Sequence, residues 1–173
     1  MKKILLLLIF STLLYSKEII NGDTLPPKPD PIANNATLGG VDSNNNGVRD
    51  DVERAIYKKY LKKLHRVLLI DEAKQLQQTM TKSLNYAKDI EKDLSRVTDC
   101  EIYIRRIDNE VKSDDFESIS YLENITFNNP QRVKKYLDYN LALSGGNYAS
   151  NPANWNRNAC SPEVIEALEE MRK

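Results

Sequence analysis

Residues 51–68, DVERAIYKKYLKKLHRVL, decide the fold. Val52, Ile56, Tyr60, Leu64 and Leu68 recur at helical spacing, with Tyr57 and Leu61 beside them and charged residues filling the gaps. That is a helix with one apolar face. Ala73, Leu76, Met80, Leu84 and Ala87 continue the stripe at a period near 3.5, and no proline interrupts the chain between Asp51 and Pro130. The series Leu84, Ala87, Ile90, Leu94, Val97, Cys100, Ile104, Ile107 drifts too far round a straight helix to form one buried stripe. A break is therefore expected within residues 85–100. Asn129-Pro130 caps and starts another helix carrying Val133, Tyr136, Leu137 and Leu141, and Gly145-Gly146 ends it. Ser161-Pro162 repeats the start signal ahead of Ile165, Leu168 and Met171, and Ser113-Asp114-Asp115 begins a helix with Phe116, Ile119, Tyr121 and Leu122. Residues 147–160 read as an irregular surface loop. The expected fold class is all-α, a bundle of five or six helices in one domain over 42–173, in keeping with a chain of 173 residues.

Upstream the character changes. Residues 17–41 hold Pro26, Pro27, Pro29 and Pro31 with no apolar period, which predicts a proline-rich extended tail without a helix. Lys2 and Lys3 precede the apolar run Ile4–Phe10, which continues through Leu13, Leu14 and Tyr15 to the small residue Ser16. This layout predicts a bacterial signal peptide over 1–16, too short for the roughly 20 apolar residues of a spanning helix. A periplasmic or secreted location follows, with membrane attachment only if that segment is retained uncleaved. In an oxidising compartment Cys100 and Cys160 are expected to form a disulfide. Two cysteines and one distant histidine make a poor zinc set, and there is no CxxC pair.

Twenty-five basic and 25 acidic residues leave no net positive charge to drive nucleic-acid binding. The six glycines fit neither a GxGxxG nor a Walker phosphate loop. One motif does carry chemistry. Asp42-Ser43-Asn44-Asn45-Asn46-Gly47-Val48-Arg49-Asp50-Asp51-Val52-Glu53 matches D-x-[DN]-x-[DN]-G-x₅-E at each specified position. Ca²⁺ is a hard ion that takes six to eight oxygens. Asp42, Asn44 and Asn46 offer side-chain oxygens at alternate positions, and Val48 offers its carbonyl. Asp50 ligates directly or through water, and Glu53 can present both carboxylate oxygens from the first turn of the next helix. The plainer reading is an Asn-rich turn with Asp50 or Asp51 as N-cap, which leaves the alternation, Gly47 and Glu53 unexplained.

This segment resembles the EF-hand-like calcium loops of dockerin modules and thrombospondin type 3 repeats. The resemblance implies an ion site, not a whole fold. It departs from a full EF-hand in two ways: a proline-rich stretch replaces the entering helix, and Arg49 stands where paired loops carry an aliphatic residue. A solitary loop–helix site is expected. The stretches Leu25-Pro26-Pro27 through Ala36-Thr37-Leu38, and Tyr139-Asn140 to Leu143-Ser144-Gly145, also resemble a group of uncharacterised exported bacterial proteins, which implies export and supplies no activity.

The remaining signals are weaker. His65 alone permits neither HExxH nor a Ser-His-Asp arrangement. Asp114-Asp115 and Glu169-Glu170 are the pairs an envelope enzyme using carboxylates alone would need, but charged helix faces produce such pairs constantly. Tyr136, Tyr139, Tyr148 and Trp155 offer a stacking platform for an envelope glycan or protein partner, with core packing the commoner fate of tyrosines at helical spacing. The sequence thus points to an exported, non-enzymatic helical protein with one structural Ca²⁺.

Overall fold

The computed structural model describes residues 18–107, 119–148 and 151–173. The expected signal peptide and the helix start at Ser113–Asp115 lie outside the described residues. Helices dominate the rest: α1 (Pro31–Asn35), α2 (Asp50–Lys59), α3 (Lys63–Thr81), α4 (Ala87–Ile107), α5 (Ile119–Thr126), α6 (Pro130–Ala142) and α7 (Pro162–Met171). Among the described residues none of these is long and apolar enough to cross a membrane. α3 is the central element, in contact with α2, α4, α5, α6 and α7. Around its C-terminal two thirds, Leu69, Ala73, Leu76 and Met80 join Val52 and Ile56 of α2, Tyr60 just beyond its end and Leu122 of α5. Around its start, Leu64 and Leu68 join Cys100 and Ile104 of α4 and Val164, Ala167 and Leu168 of α7.

The stripe from Val52 to Leu68 is buried as expected, yet it spans a turn. Tyr60 and Lys62 have extended backbones, and Arg66 of α3 reaches back to donate to the Tyr60 and Leu61 carbonyls. A guanidinium from the next helix thus satisfies carbonyls that a helix end leaves without partners. The break expected within 85–100 is displaced. Ser83 caps a 3₁₀ turn at Leu84–Tyr86, and α4 then runs unbroken from Ala87 to Ile107. Its drifting stripe is absorbed by a change of partner along its length. Ala87 and Ile90 meet Tyr139 and Leu143 near α6, whereas Cys100 and Ile104 meet α7. On α6 the apolar set divides as well: Tyr139 is buried, while Val133, Leu137 and Leu141 stay exposed.

The proline-rich stretch is not a featureless tail. Ile19–Ile20 (β1) and Asp23–Thr24 (β2) form a small antiparallel hairpin about Asn21-Gly22, a favoured two-residue turn. The absence of a helix is corrected by α1, where the Asp30 side chain accepts from the Ala33 N–H at 2.9 Å and Pro31 takes the first helical position. There proline forfeits only an N–H that would lack a helical partner anyway. Buried arginines tie the stretch down: Arg54 donates to the Pro26 carbonyl at 2.6 Å, and Arg66 pairs with Asp23 at 2.7 Å. The start signals at Asn129-Pro130 and Ser161-Pro162 do open α6 and α7, with the Asn129 side chain accepting from the Arg132 N–H. Cys100 and Cys160 are joined as a disulfide, with Cα atoms 4.8 Å apart. Residues 152–154 and 157–159 form two 3₁₀ turns of the loop that the disulfide anchors.

Candidate functional site

The loop over 42–53 is built on hydrogen bonds from its own backbone. Asp42 Oδ1 accepts from the Asn46 N–H at 3.1 Å and Oδ2 from the Gly47 N–H at 2.9 Å. Asn44 Oδ1 accepts from the Asn46 N–H and Asn46 Oδ1 from the Val48 N–H, so three side chains at alternate positions curl the chain into a tight turn. Gly47 sits at φ +86°, where an added Cβ would touch only Lys74 Cγ at 3.7 Å; its requirement is conformational, not steric. Glu53 reaches in from the first turn of α2. Its Oε2 accepts from Asn44 Nδ2 at 3.1 Å and from Asn46 Nδ2 at 2.8 Å. Asp50 Oδ1 accepts from the Ser43 N–H at 2.9 Å, and Asp50 Oδ2 is buried with no hydrogen-bond partner.

The structure therefore brings Asp42, Asn44, Asn46, Asp50 and Glu53 to one place, with Val48 buried beside them. Burial pushes the Glu53 carboxyl up, against the two asparagine bonds, and the charges of Asp50 and Asp42 add to the rise. Among the described residues no ion pair neutralises the buried Asp50 or Glu53, and a cation, Lys74, lines the cleft beside Asp42 and Asn46. Carboxylates alone would not hold a metal: among the described residues no three Asp, Glu, His or Cys side chains gather at ligating distance. Any set of oxygen ligands for a cation here has to include the two asparagines. Each amide oxygen has a second lone pair beyond the one that holds the loop. The Nδ2 groups of Asn44 and Asn46 face Glu53, while both Oδ1 atoms accept from backbone N–H groups. Of the plainer reading, the Asn-rich turn is present in these side-chain-to-backbone bonds, whereas the aspartate N-cap is not: the cap position is Arg49, with no side-chain cap bond.

Arg49 is the residue the sequence left unexplained. It is 0% exposed, and its guanidinium donates to the Thr126 carbonyl at 3.0 Å and the Ile125 carbonyl at 2.8 Å while pairing with Asp51. The loop is thereby plugged into the C-terminal end of α5, where carbonyls and the helix dipole favour a cation. Gly40 makes room, since a Cβ there would lie 2.2 Å from Arg49 Cδ. Nothing in a one-dimensional pattern marks an arginine as buried.

The four aromatic residues do not form one platform. Tyr139 is in the core, and Tyr136 is stacked between it and Phe127, with centroids 6.2 and 4.1 Å away. Trp155 is elsewhere, its ring under the Arg106 guanidinium at 3.9 Å. Glu169 and Glu170 are engaged in ion pairs with Arg157 and Lys63, and Asp114-Asp115 lies outside the described residues. His65 is a buried residue of α3.

Tyr136 and Tyr148 do share a cavity of about 270 Å³ with three carboxylates, Glu72, Glu91 and Glu123. Burial pushes the Glu72 carboxyl up to about 7, and the charges of Glu101 and Glu123 reinforce the rise. The folded chain then holds the Glu72 proton more tightly than the unfolded chain, whose carboxyl titrates at the ordinary 4.5. Its stabilising contribution is complete below about pH 4.5 and is lost as pH rises through about 7. Glu72→Gln should stabilise the protein by roughly 2–3 kcal/mol at about pH 8 and by almost nothing at about pH 4. Urea unfolding at the two pH values checks this, and equal stabilities at the higher pH would refute it.

Comparison with protein-family models, curated proteins and solved structures finds no match for this chain, so the reading of its loop rests on the residues that build it.

Proposed function

We propose that this is an exported helical protein in which the loop Asp42–Glu53 binds one Ca²⁺ as a structural ion, without a catalytic role. The observation that carries the reading is the convergence of Asn44 and Asn46 on Glu53, beside the partnerless buried oxygen of Asp50. Supporting it, the Arg49 anchor fixes the loop to α5 without using any proposed ligand side chain. Calcium would neutralise acids that otherwise repel one another at the start of α2, so binding and helix initiation reinforce each other. The Cys100–Cys160 disulfide and the N-terminal address segment support an extracytoplasmic, periplasmic or secreted setting.

The test is the melting temperature of the disulfide-bonded chain with chelator and with millimolar CaCl₂. Solitary extracellular sites bind at about 10⁻⁴–10⁻³ M, so 2 mM Ca²⁺ should contribute roughly 1–2 kcal/mol. For a chain of this length that is a rise of roughly 2–7 °C. Asp42→Ala combined with Glu53→Ala should abolish it. A melting curve indifferent to millimolar calcium would end the proposal.

A further inference from the structure

The half-open cavity between α3, α4, α5 and α6, closed on one side by Tyr148, gathers an unusual set of side chains. Glu72 comes from α3, Glu91 from α4 and Glu123 from α5, and the Tyr136 and Tyr148 rings and Leu94 form its walls. Two of the carboxylates are held in place from behind. Glu123 Oε1 accepts from the Tyr136 hydroxyl at 2.6 Å, and Glu91 Oε2 accepts from the Tyr139 hydroxyl at 2.9 Å. Burial and these bonds push the Tyr136 hydroxyl up to about 12, so it stays a proton donor to its glutamate. Glu72 has neither a hydrogen bond nor an ion pair among the described residues, and no lysine or arginine lines the cavity. Burial of Glu72 beside the charges of Glu101 and Glu123 raises the energy of the fold. At position 72 packing alone would be served better by glutamine.

The walls decide which cation suits this space. A small metal ion does not, because no three carboxylates among the described residues stand at ligating distance. An organic ammonium does: its charge can interact with separated carboxylates and the face of a tyrosine, and its alkyl body can lie on Leu94 and the rings. We propose that this cavity is a binding site for a small alkylammonium compound, with the ammonium group between Glu72 and Glu123 and the carbon chain along Tyr136, Tyr148 and Leu94. The site lies outside the calcium loop and shares no residue with it, so each proposal stands or fails alone.

Free diamines and the side chain of lysine offer the same chemistry, and two probes separate them. Isothermal titration of the disulfide-bonded chain near neutral pH would use 1,5-diaminopentane, Nα-acetyl-lysine methylamide and, as an uncharged control, 1-pentanol. At least one ammonium probe should saturate at micromolar to millimolar concentration while pentanol does not. A stronger response to the diamine identifies a free amine as the ligand class, and a stronger response to the lysine derivative identifies a lysine side chain. Glu72→Gln should weaken binding at least tenfold. That variant is expected to be no less stable than the parent, so its loss of binding would not reflect unfolding. Tyr136→Phe keeps the ring, releases Glu123 and should weaken binding by a smaller factor. Failure of both ammonium probes to saturate, equal binding of pentanol, or unchanged affinity in Glu72→Gln would overturn the assignment.

Discussion

Replacing Cys100 and Cys160 by serine is expected to lower the stability of the chain by about 4 kcal/mol, the loop-closure value for a cross-link across roughly 60 residues. In the folded protein the bridge fastens the C-terminal loop to the middle of α4, at a cysteine that is 0% exposed. Other contacts cross the same seam. Arg96 donates to the Ala159 carbonyl at 2.6 Å and pairs with Asp71 at 3.2 Å, and Val164, Ala167 and Leu168 bury against α3 and α4. The ion pairs Lys63–Glu170 and Arg157–Glu169 are exposed at both ends and add little. Apolar burial should therefore keep α7 docked in the double-serine variant, and the loss should come mainly from the wider freedom of the unfolded chain. The expected reading is a melting temperature lower by roughly 8–16 °C with little change in helical circular dichroism at room temperature. A drop of only a degree or two would mean that the chain between the two cysteines stays close together even when unfolded.

Much of the architecture was open to inspection in the amino-acid order, and the gaps share a cause. Asn129-Pro130 and Ser161-Pro162 mark helix starts because cap chemistry is local: a side chain, a proline ring and the next few N–H groups suffice. Asp30-Pro31 carries the same signal and does open α1. Lack of an apolar period in the proline-rich stretch hides it, since a helix of five residues is too short to show one. Periodicity shows which residues face inward but not where the chain turns. Tyr60, Leu64 and Leu68 are all buried although α2 ends and α3 begins among them, because the connection is stabilised by Arg66, whose reach depends on the fold. The loop was legible in outline, since its side-chain bonds run to neighbours within a dozen residues. Its anchorage by Arg49 was not, because the carbonyls it caps belong to α5, more than 70 positions away. The acid-lined cavity is hidden for the same reason, each of its three glutamates being one unremarkable charge on a different helix.

Arg132→Ala is expected to be among the most damaging single changes in the protein, costing on the order of 3–4 kcal/mol. Its side chain is fully buried, yet among the described residues no carboxylate forms an ion pair with it. The charge is instead surrounded by oxygens of the proline-rich stretch and its neighbours. Nε donates to the Leu38 carbonyl at 3.0 Å, Nη1 to Asn128 Oδ1 at 2.7 Å and Asn35 Oδ1 at 3.2 Å, and Nη2 to the Asn34 carbonyl at 2.6 Å and the Thr37 carbonyl at 3.3 Å. Burial pulls its pKa down, with the nearby Arg49 adding to the pull and Asp51 opposing it, so the arrangement holds a cation against its own desolvation. Removing the guanidinium strands several acceptors at once and opens a gap under residues 34–38. The consequence should reach the proposed ion site. Asn34 Oδ1 accepts from the Val41 N–H, and the Val41 carbonyl in turn accepts from the Asp50 N–H at 2.8 Å, so this stretch sets where the loop begins and where α2 starts. Arg132→Ala should therefore both lower the melting temperature and blunt the response to calcium. Arg132→Lys should restore little of either, because one ammonium cannot span acceptors arrayed around a planar fork. A lysine variant as stable as the parent would show that the buried charge matters there and the fork geometry does not.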